Sequence, residues 1–156
     1  MNKKEKAIFA AGCFWSVQDS FDNLNGVLKT TVGYTGGKNK NPSYEDVCSG
    51  DTGHAEAVEV LFDSEKISYE ELLQTFFSIH DSTQLNRQGP DVGEQYRSAI
   101  FFTTEEQKEL AKKFISKIQK ENKNKIVTKL EKASTFYPAE EYHQHYNKKN
   151  GRSCFV

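Results

Sequence analysis

Residues 6–24 read KAIFAAGCFWSVQDSFDNL, and the hydrophobic period changes inside them. Residues 6–11 form an almost unbroken apolar run, the pattern of a central strand. Phe14, Val17, Phe21 and Leu24 then recur at three- and four-residue spacing, one stripe of a helix. The change from strand to helix falls at Cys13. Outward from this switch, Leu28, Thr30, Val32 and Tyr34 alternate into Gly36-Gly37, and residues 54–62 alternate again before Asp63-Ser64, so two strands are expected after the helix. Ser68 and Glu71 stand in capping-box spacing ahead of Leu72, Leu73, Phe76 and Phe77, which share a helical face. A polar loop over 81–95 then leads to an apolar strand at 98–102. The resulting order, βαββαβ, is the split-βαβ plan of a ferredoxin-like fold. It predicts an α+β two-layer sandwich, with helices covering one face of a mixed or antiparallel sheet. Beyond it the pattern predicts a helix over 104–121, with Thr103 and Glu106 in capping-box register, a strand over 126–130, a helix over 139–148 and a short irregular tail.

The 156 residues carry no internal repeat, low-complexity tract or Pro/Ser-rich linker, so one domain over 1–156 is the simplest organisation. Lys plus Arg number 21 and Asp plus Glu 22, and a net charge of −1 excludes a strongly basic nucleic-acid binder. Lysines crowd residues 108–132 but with few aromatics beside them, the composition of a solvated helix face rather than an RNA-binding surface. Aromatics at 12% of residues argue for an ordered core despite a mean hydropathy of −0.74. No apolar run approaches the roughly 20 residues of a membrane helix. Lys3, Lys4 and Lys6 followed by Ala10-Ala11-Gly12-Cys13 outline a lipoprotein signal, but the apolar stretch is short and Glu5 interrupts the basic region, so the chain is expected to start at or near Met1. Cys13, Cys48 and Cys154 cannot all pair within the chain, and no C-x-x-C spacing points to zinc. Thiol chemistry in a reducing cytoplasm is therefore expected.

Cys13 falls where the first helical turn offers unpaired backbone N–H groups and the positive end of the helix dipole, both of which favour a thiolate nucleophile. A small buried apolar cysteine is the competing account. Phe14 and Trp15 follow at once; helix periodicity needs Phe14 for the core but not Trp15, and a large ring beside a nucleophile can line an apolar pocket. Glu56 shares strand parity with Val58, Val60 and Phe62, so its carboxyl is expected where apolar side chains point, desolvated and suited to donating a proton. Exposure at the strand end beside His54 is the alternative. Tyr44 and Tyr96 lie in polar loop segments and either donate hydrogen bonds to a ligand oxygen or simply cover the core. Cys154, two residues from the C-terminus, suits thiol exchange with an oxidised Cys13. His143 and His145 are two apart and would diverge on a helix, so no metal site is expected. A thiol peroxidase would use the same oxidised cysteine without needing the Phe14-Trp15 pocket, and a binding domain with a fortuitous cysteine would need neither.

At these residues the chain resembles the class A peptide-methionine sulfoxide reductases, the enzymes for the S epimer. The likeness runs through Gly12-Cys13-Phe14-Trp15, Gly33-Tyr34 with Gly36-Gly37, Pro42-Ser43-Tyr44, Val47-Cys48-Ser49-Gly50 and Thr52-Gly53-His54-Ala55-Glu56. It continues through His80-Asp81, Leu85-Asn86-Arg87-Gln88-Gly89, Asp91-Val92-Gly93, Gln95-Tyr96-Arg97-Ser98 and Ala139-Glu140-Glu141-Tyr142-His143-Gln144. The resemblance implies Cys13 as nucleophile, Phe14 and Trp15 as the pocket for the substrate methyl group, Glu56 as proton donor, and Tyr44 and Tyr96 as ligands of the sulfoxide oxygen. It further implies Asp91 and His143 as substrate-holding residues and Cys154 as the resolving thiol. The implied activity is reduction of protein-bound and free methionine sulfoxide, repairing oxidised proteins, with thioredoxin as electron donor. No organic cofactor, metal, nucleic acid or membrane is implied, and a monomer is expected. Ser16, Pro90, Glu94 and the short tail depart from the family pattern without touching a catalytic position.

Overall fold

The computed structural model describes residues 3–50 and 52–146. Cys154 and the end of the helix expected over 139–148 lie outside the described residues. The apolar run becomes β1 (Lys4–Ala11), and the stripe after Cys13 becomes α1 (Phe14–Asp22). β2 (Val27–Thr35) and β3 (Ala55–Asp63) follow, then α3 (Tyr69–Ser78), counting as α2 a short helix Tyr44–Cys48 between the two strands. A small hairpin of β4 (Arg87–Gln88) and β5 (Asp91–Val92) precedes a 3-10 turn Glu94–Tyr96 and β6 (Ser98–Phe102). α4 (Glu105–Glu121), β7 (Lys129–Lys132) and β8 (Tyr137–Pro138) complete the main elements, and a 3-10 turn Glu141–His143 follows.

The six-stranded sheet has the order β7-β6-β1-β3-β2-β8. Its four inner strands run antiparallel in the ferredoxin-like order, with β1 paired to β3 on one side and β6 on the other. β7 joins β6 in parallel, which makes the sheet mixed, as expected. Helices α1, α3 and α4 bury Phe14, Val17, Phe21, Leu72, Leu73, Phe76 and Ala111 against Ala7, Phe9, Val32, Val58, Val60 and Phe62 in one core. Phe9 lies at its centre, stacked on Phe21 at 5.1 Å and Phe76 at 5.2 Å. The opposite sheet face carries a smaller cluster, Ile8, Ala10, Ala55, Ala57, Ala99 and Phe101, under Ala133 and Phe136. Among the described residues no helix is long and apolar enough to cross a membrane.

Several boundaries differ from the sequence expectation, each for a tertiary reason. α4 is capped by Thr104, whose hydroxyl accepts from Gln107 N, and not by Thr103 with Glu106. Gln107 is buried because its amide donates to Lys6 O and accepts from Thr103 N, which ties the helix start to β1. The strand expected over 126–130 pairs only from Lys129, because Ile126 N is held by Gln119 Oε1 and Val127 N by Ser82 O. The stretch expected as a helix from 139 is instead bonded to the sheet edge. Ala139 N donates to Val32 O, and the Gln144 amide bonds both Val32 N and Val32 O, so these groups serve β2 rather than a helix ladder.

Candidate active site

The strand-to-helix switch is set by two residues. Gly12 has φ +95°, and a Cβ there would stand 2.8 Å from the Gln88 side chain, so the β4–β5 hairpin lies directly over this turn. Cys13 is then the N-cap of α1, half-buried, with extended φ and ψ and no side-chain cap bond of its own. The first donor of the helix faces β3 instead. Phe14 N–H donates to Glu56 Oε1 at 3.3 Å. A buried carboxyl group thus sits at the positive end of α1, beside the cysteine.

Glu56 is 1% exposed, on the helix-covered face of β3 with Val58, Val60 and Phe62, which rules out the exposed alternative. It lies opposite Tyr34 in the β2–β3 register. Burial pushes the Tyr34, Tyr44 and Tyr96 hydroxyls above the ordinary phenol range, and the charge of Glu56 adds to the shift in each. All three are held as donors at any ordinary pH. Tyr44 is not in a loop, as expected from sequence, but opens α2, which starts at a capping box between Ser43 and Asp46. Tyr96 closes the 3-10 turn before β6 and feels Asp91 and Cys13. Asp91, on β5, is half-buried, and burial raises its carboxyl above the usual range.

The apolar wall consists of rings. Phe14 is 6.4 Å from Trp15 and 6.3 Å from Tyr44, and Trp15 is 6.3 Å from Tyr44. His143 joins them, 4.4 Å from Tyr44 and 5.6 Å from both Phe14 and Trp15. Cys48 is a thiol on the surface of α2, four residues on from Tyr44, and partial burial raises it above its ordinary range. The structure therefore brings Cys13, Phe14, Trp15, Tyr44, Glu56, Tyr96, Asp91 and His143 together around one end of α1. The departing residue Glu94 places its carboxylate 3.9 Å from the buried Arg97.

Residues that periodicity did not single out complete the arrangement. Glu140 accepts from the Tyr34 hydroxyl and from Tyr44 N–H, both at 3.2 Å. Burial pushes its carboxyl up, but backbone bonds, Tyr34 and His143 outweigh this and hold it below the usual range. His54 accepts from Gly37 N–H at Nδ1 and bonds Asn39 O through Nε2. Its backbone approaches so closely that a Cβ on Gly37 would lie 2.4 Å from His54 N. This locks the turn before α2 to the strand carrying Glu56. Ser43 and Asp46 are a readable signal for α2; Glu140 carries none, since it belongs to no periodic face.

The family model for peptide methionine sulfoxide reductase matches residues 5–155. The chain belongs to this family. Over 159 aligned residues it is 54% identical to the peptide methionine sulfoxide reductase MsrA of Methanothermobacter thermautotrophicus, covering all of this chain and 94% of that protein. Among solved structures it resembles the reduced form of Mxr1 from Saccharomyces cerevisiae, with a TM-score of 0.92 and 40% identity over 98% of this chain and 89% of that one. Mxr1 in complex with Trx2 matches with a TM-score of 0.65 and 31% identity, covering 92% of this chain and 85% of that one. As a member of the peptide methionine sulfoxide reductase family the protein is an oxidoreductase, and its chemistry is thiol-dependent reduction of methionine sulfoxide. The two-layer sheet-and-helix plan expected from the sequence is the fold of these neighbours.

Proposed function

We propose that the protein reduces the S epimer of methionine sulfoxide, free and within polypeptides, through oxygen transfer to Cys13. The placement of Glu56 carries this assignment: a fully buried carboxyl bonded to Phe14 N, one residue from the thiol and among donor tyrosines. The Cys13 thiolate attacks the sulfoxide sulfur while its methyl group rests against Phe14 and Trp15. Tyr44 and Tyr96 donate to the sulfoxide oxygen, and Glu56 delivers the proton that lets the sulfur–oxygen bond break. The thioether leaves and Cys13 carries the oxygen as a sulfenic acid, two electrons having passed from cysteine to substrate sulfur. Asp91, beside Tyr96 on the hairpin, holds the substrate from the other side.

Cys154 then attacks the sulfenic acid, releasing water and forming a disulfide, and a thioredoxin-type dithiol reduces it. The solved Mxr1–Trx2 complex supports this donor class. Electrons come from the dithiol, so the cycle calls for no organic cofactor or metal, and it suits a monomer in a reducing cytoplasm. The test is turnover of a capped methionine sulfoxide, with S and R epimers assayed separately, by wild type and Cys13→Ser with dithiothreitol. Turnover of the S epimer alone, abolished by Cys13→Ser, is expected. Turnover of the R epimer, or retained activity in Cys13→Ser, would overturn the assignment.

A further inference from the structure

We infer that His143 is a positioning residue whose role is to orient the indole of Trp15 in the methyl pocket. This rests on the proposed reaction but assigns His143 a different part from the substrate contact that the resemblance implies. The Trp15 Nε1–H donates to His143 Nδ1 at 3.1 Å. A ring nitrogen that accepts carries no proton, so the imidazole is the Nε2–H tautomer. His143 is 2% exposed, and its Nε2 has no hydrogen-bond partner among the described residues. Its polar function toward the protein is thus spent on Trp15.

The geometry explains why such a holder is needed. Trp15 is half-buried at the first turn of α1, where helix packing does not dictate its rotamer. Tyr146 stacks on it at 3.9 Å with ring planes 12° apart, which fixes its plane but lets it slide and turn within that plane. The hydrogen bond from Nε1 removes this remaining freedom, because it fixes one edge of the ring. His143 is itself held from three sides: by Tyr44 at 4.4 Å, by Tyr142 at 4.1 Å, and by its own N–H donating to Glu140 O at 2.9 Å. The holder therefore belongs to the C-terminal segment and the held ring to α1.

Trp15 is the single tryptophan of the chain, so its fluorescence reports this contact without interference. The variants are His143→Phe, which keeps a ring but removes the acceptor, and His143→Asn, whose Oδ1 stands where Nδ1 stood. In the resting enzyme His143→Phe is expected to shift the Trp15 emission and raise its quenching by acrylamide, and His143→Asn to restore both. In turnover of the S epimer, His143→Phe is expected to raise KM about five- to tenfold with kcat nearly unchanged, the scale of one neutral hydrogen bond, and His143→Asn to recover most of it. Wild-type emission, quenching and KM in His143→Phe would overturn the inference. So would a fall in kcat with emission and quenching unchanged, which would make His143 a direct substrate contact. Circular dichroism confirms that each variant is folded, and if His143→Phe is not, His143→Leu replaces it in the same comparison. The fluorescence arm needs no substrate, so it stands even where the S epimer is not turned over and the proposed reaction fails.

Discussion

The first 35 residues and the segment 135–146 meet at the same site, but different forces hold them. β1 and α1 are fixed by area: Phe9, Phe14, Val17 and Phe21 are each at most 3% exposed and pack among aromatic and aliphatic side chains. The C-terminal segment is fixed by single polar bonds. Thr35 Oγ1 donates to Thr135 O at 2.8 Å, the Gln144 amide bonds Val32 on both sides, and His145 bonds Gln18 through its backbone and Asp22 through its ring. Burial of apolar area is non-directional and tolerant of small errors, whereas a hydrogen bond is lost within a fraction of an ångström. Cys13, the proposed nucleophile, therefore stands on the robust half, while Glu140 and His143, which touch Tyr44 and Trp15, stand on the directional half.

The largest effect expected is on the first half. Phe9→Ala should lower stability by about 4 kcal/mol, through lost burial and the cavity left between Phe21 and Phe76, read as a fall in the urea midpoint at unchanged m. The second test takes a polar anchor beside the same core, on Phe76. His80 bonds Phe76 O through Nδ1 and Ser98 Oγ through Nε2, and burial pushes it down to about 4 from an ordinary 6.5. The unfolded chain binds the extra proton first, so stability is fully present above pH 6.5 and falls as pH drops toward 4, by up to about 3 kcal/mol. Urea titrations across that window check the slope, and His80→Asn should flatten it.

On the directional half, Gln144→Ala removes the partner of Val32 N and one of the two donors to Val32 O, the other being Ala139 N, and should cost about 2 kcal/mol. The sharper readout is amide exchange: Val32 N–H should exchange faster than its β2 neighbours, while Phe9 N–H stays protected. A wild-type exchange rate at Val32 would mean that the segment is held by something other than this amide. The smallest effect is expected at Tyr69, whose hydroxyl is buried in the core without a hydrogen-bond partner among the described residues. Tyr69→Phe should be neutral or stabilising by up to about 1 kcal/mol, because it removes a desolvated hydroxyl and leaves the ring.

What could be read in advance divides along the same line. Phe14, Val17 and Phe21 announced α1, and with it the position of Cys13 at the helix start; the parity of Glu56 with Val58 and Val60 announced a buried carboxyl. Tyr44 is legible as a residue but its helix is not, since α2 is only five residues long and offers the capping box at Ser43 and Asp46 without a periodic face behind it. The helix expected from 139 is not formed there, because what holds this segment is polar: the contacts of Glu140, Gln144 and His145 have no period that a sequence could display.

The amino-acid sequence by itself determined the βαββαβ order of the main strands and helices, the core they share, and the placement of a thiol at a helix start near a carboxyl of core-facing parity, because apolar periodicity and strand parity are local and additive. Only the tertiary structure decided which side chains lock the pocket: His143 on Trp15, Glu140 on Tyr34 and Tyr44, Gln144 on Val32. These are directional bonds between residues 96 to 128 positions apart, and such bonds exist only once the sheet has brought the two ends together.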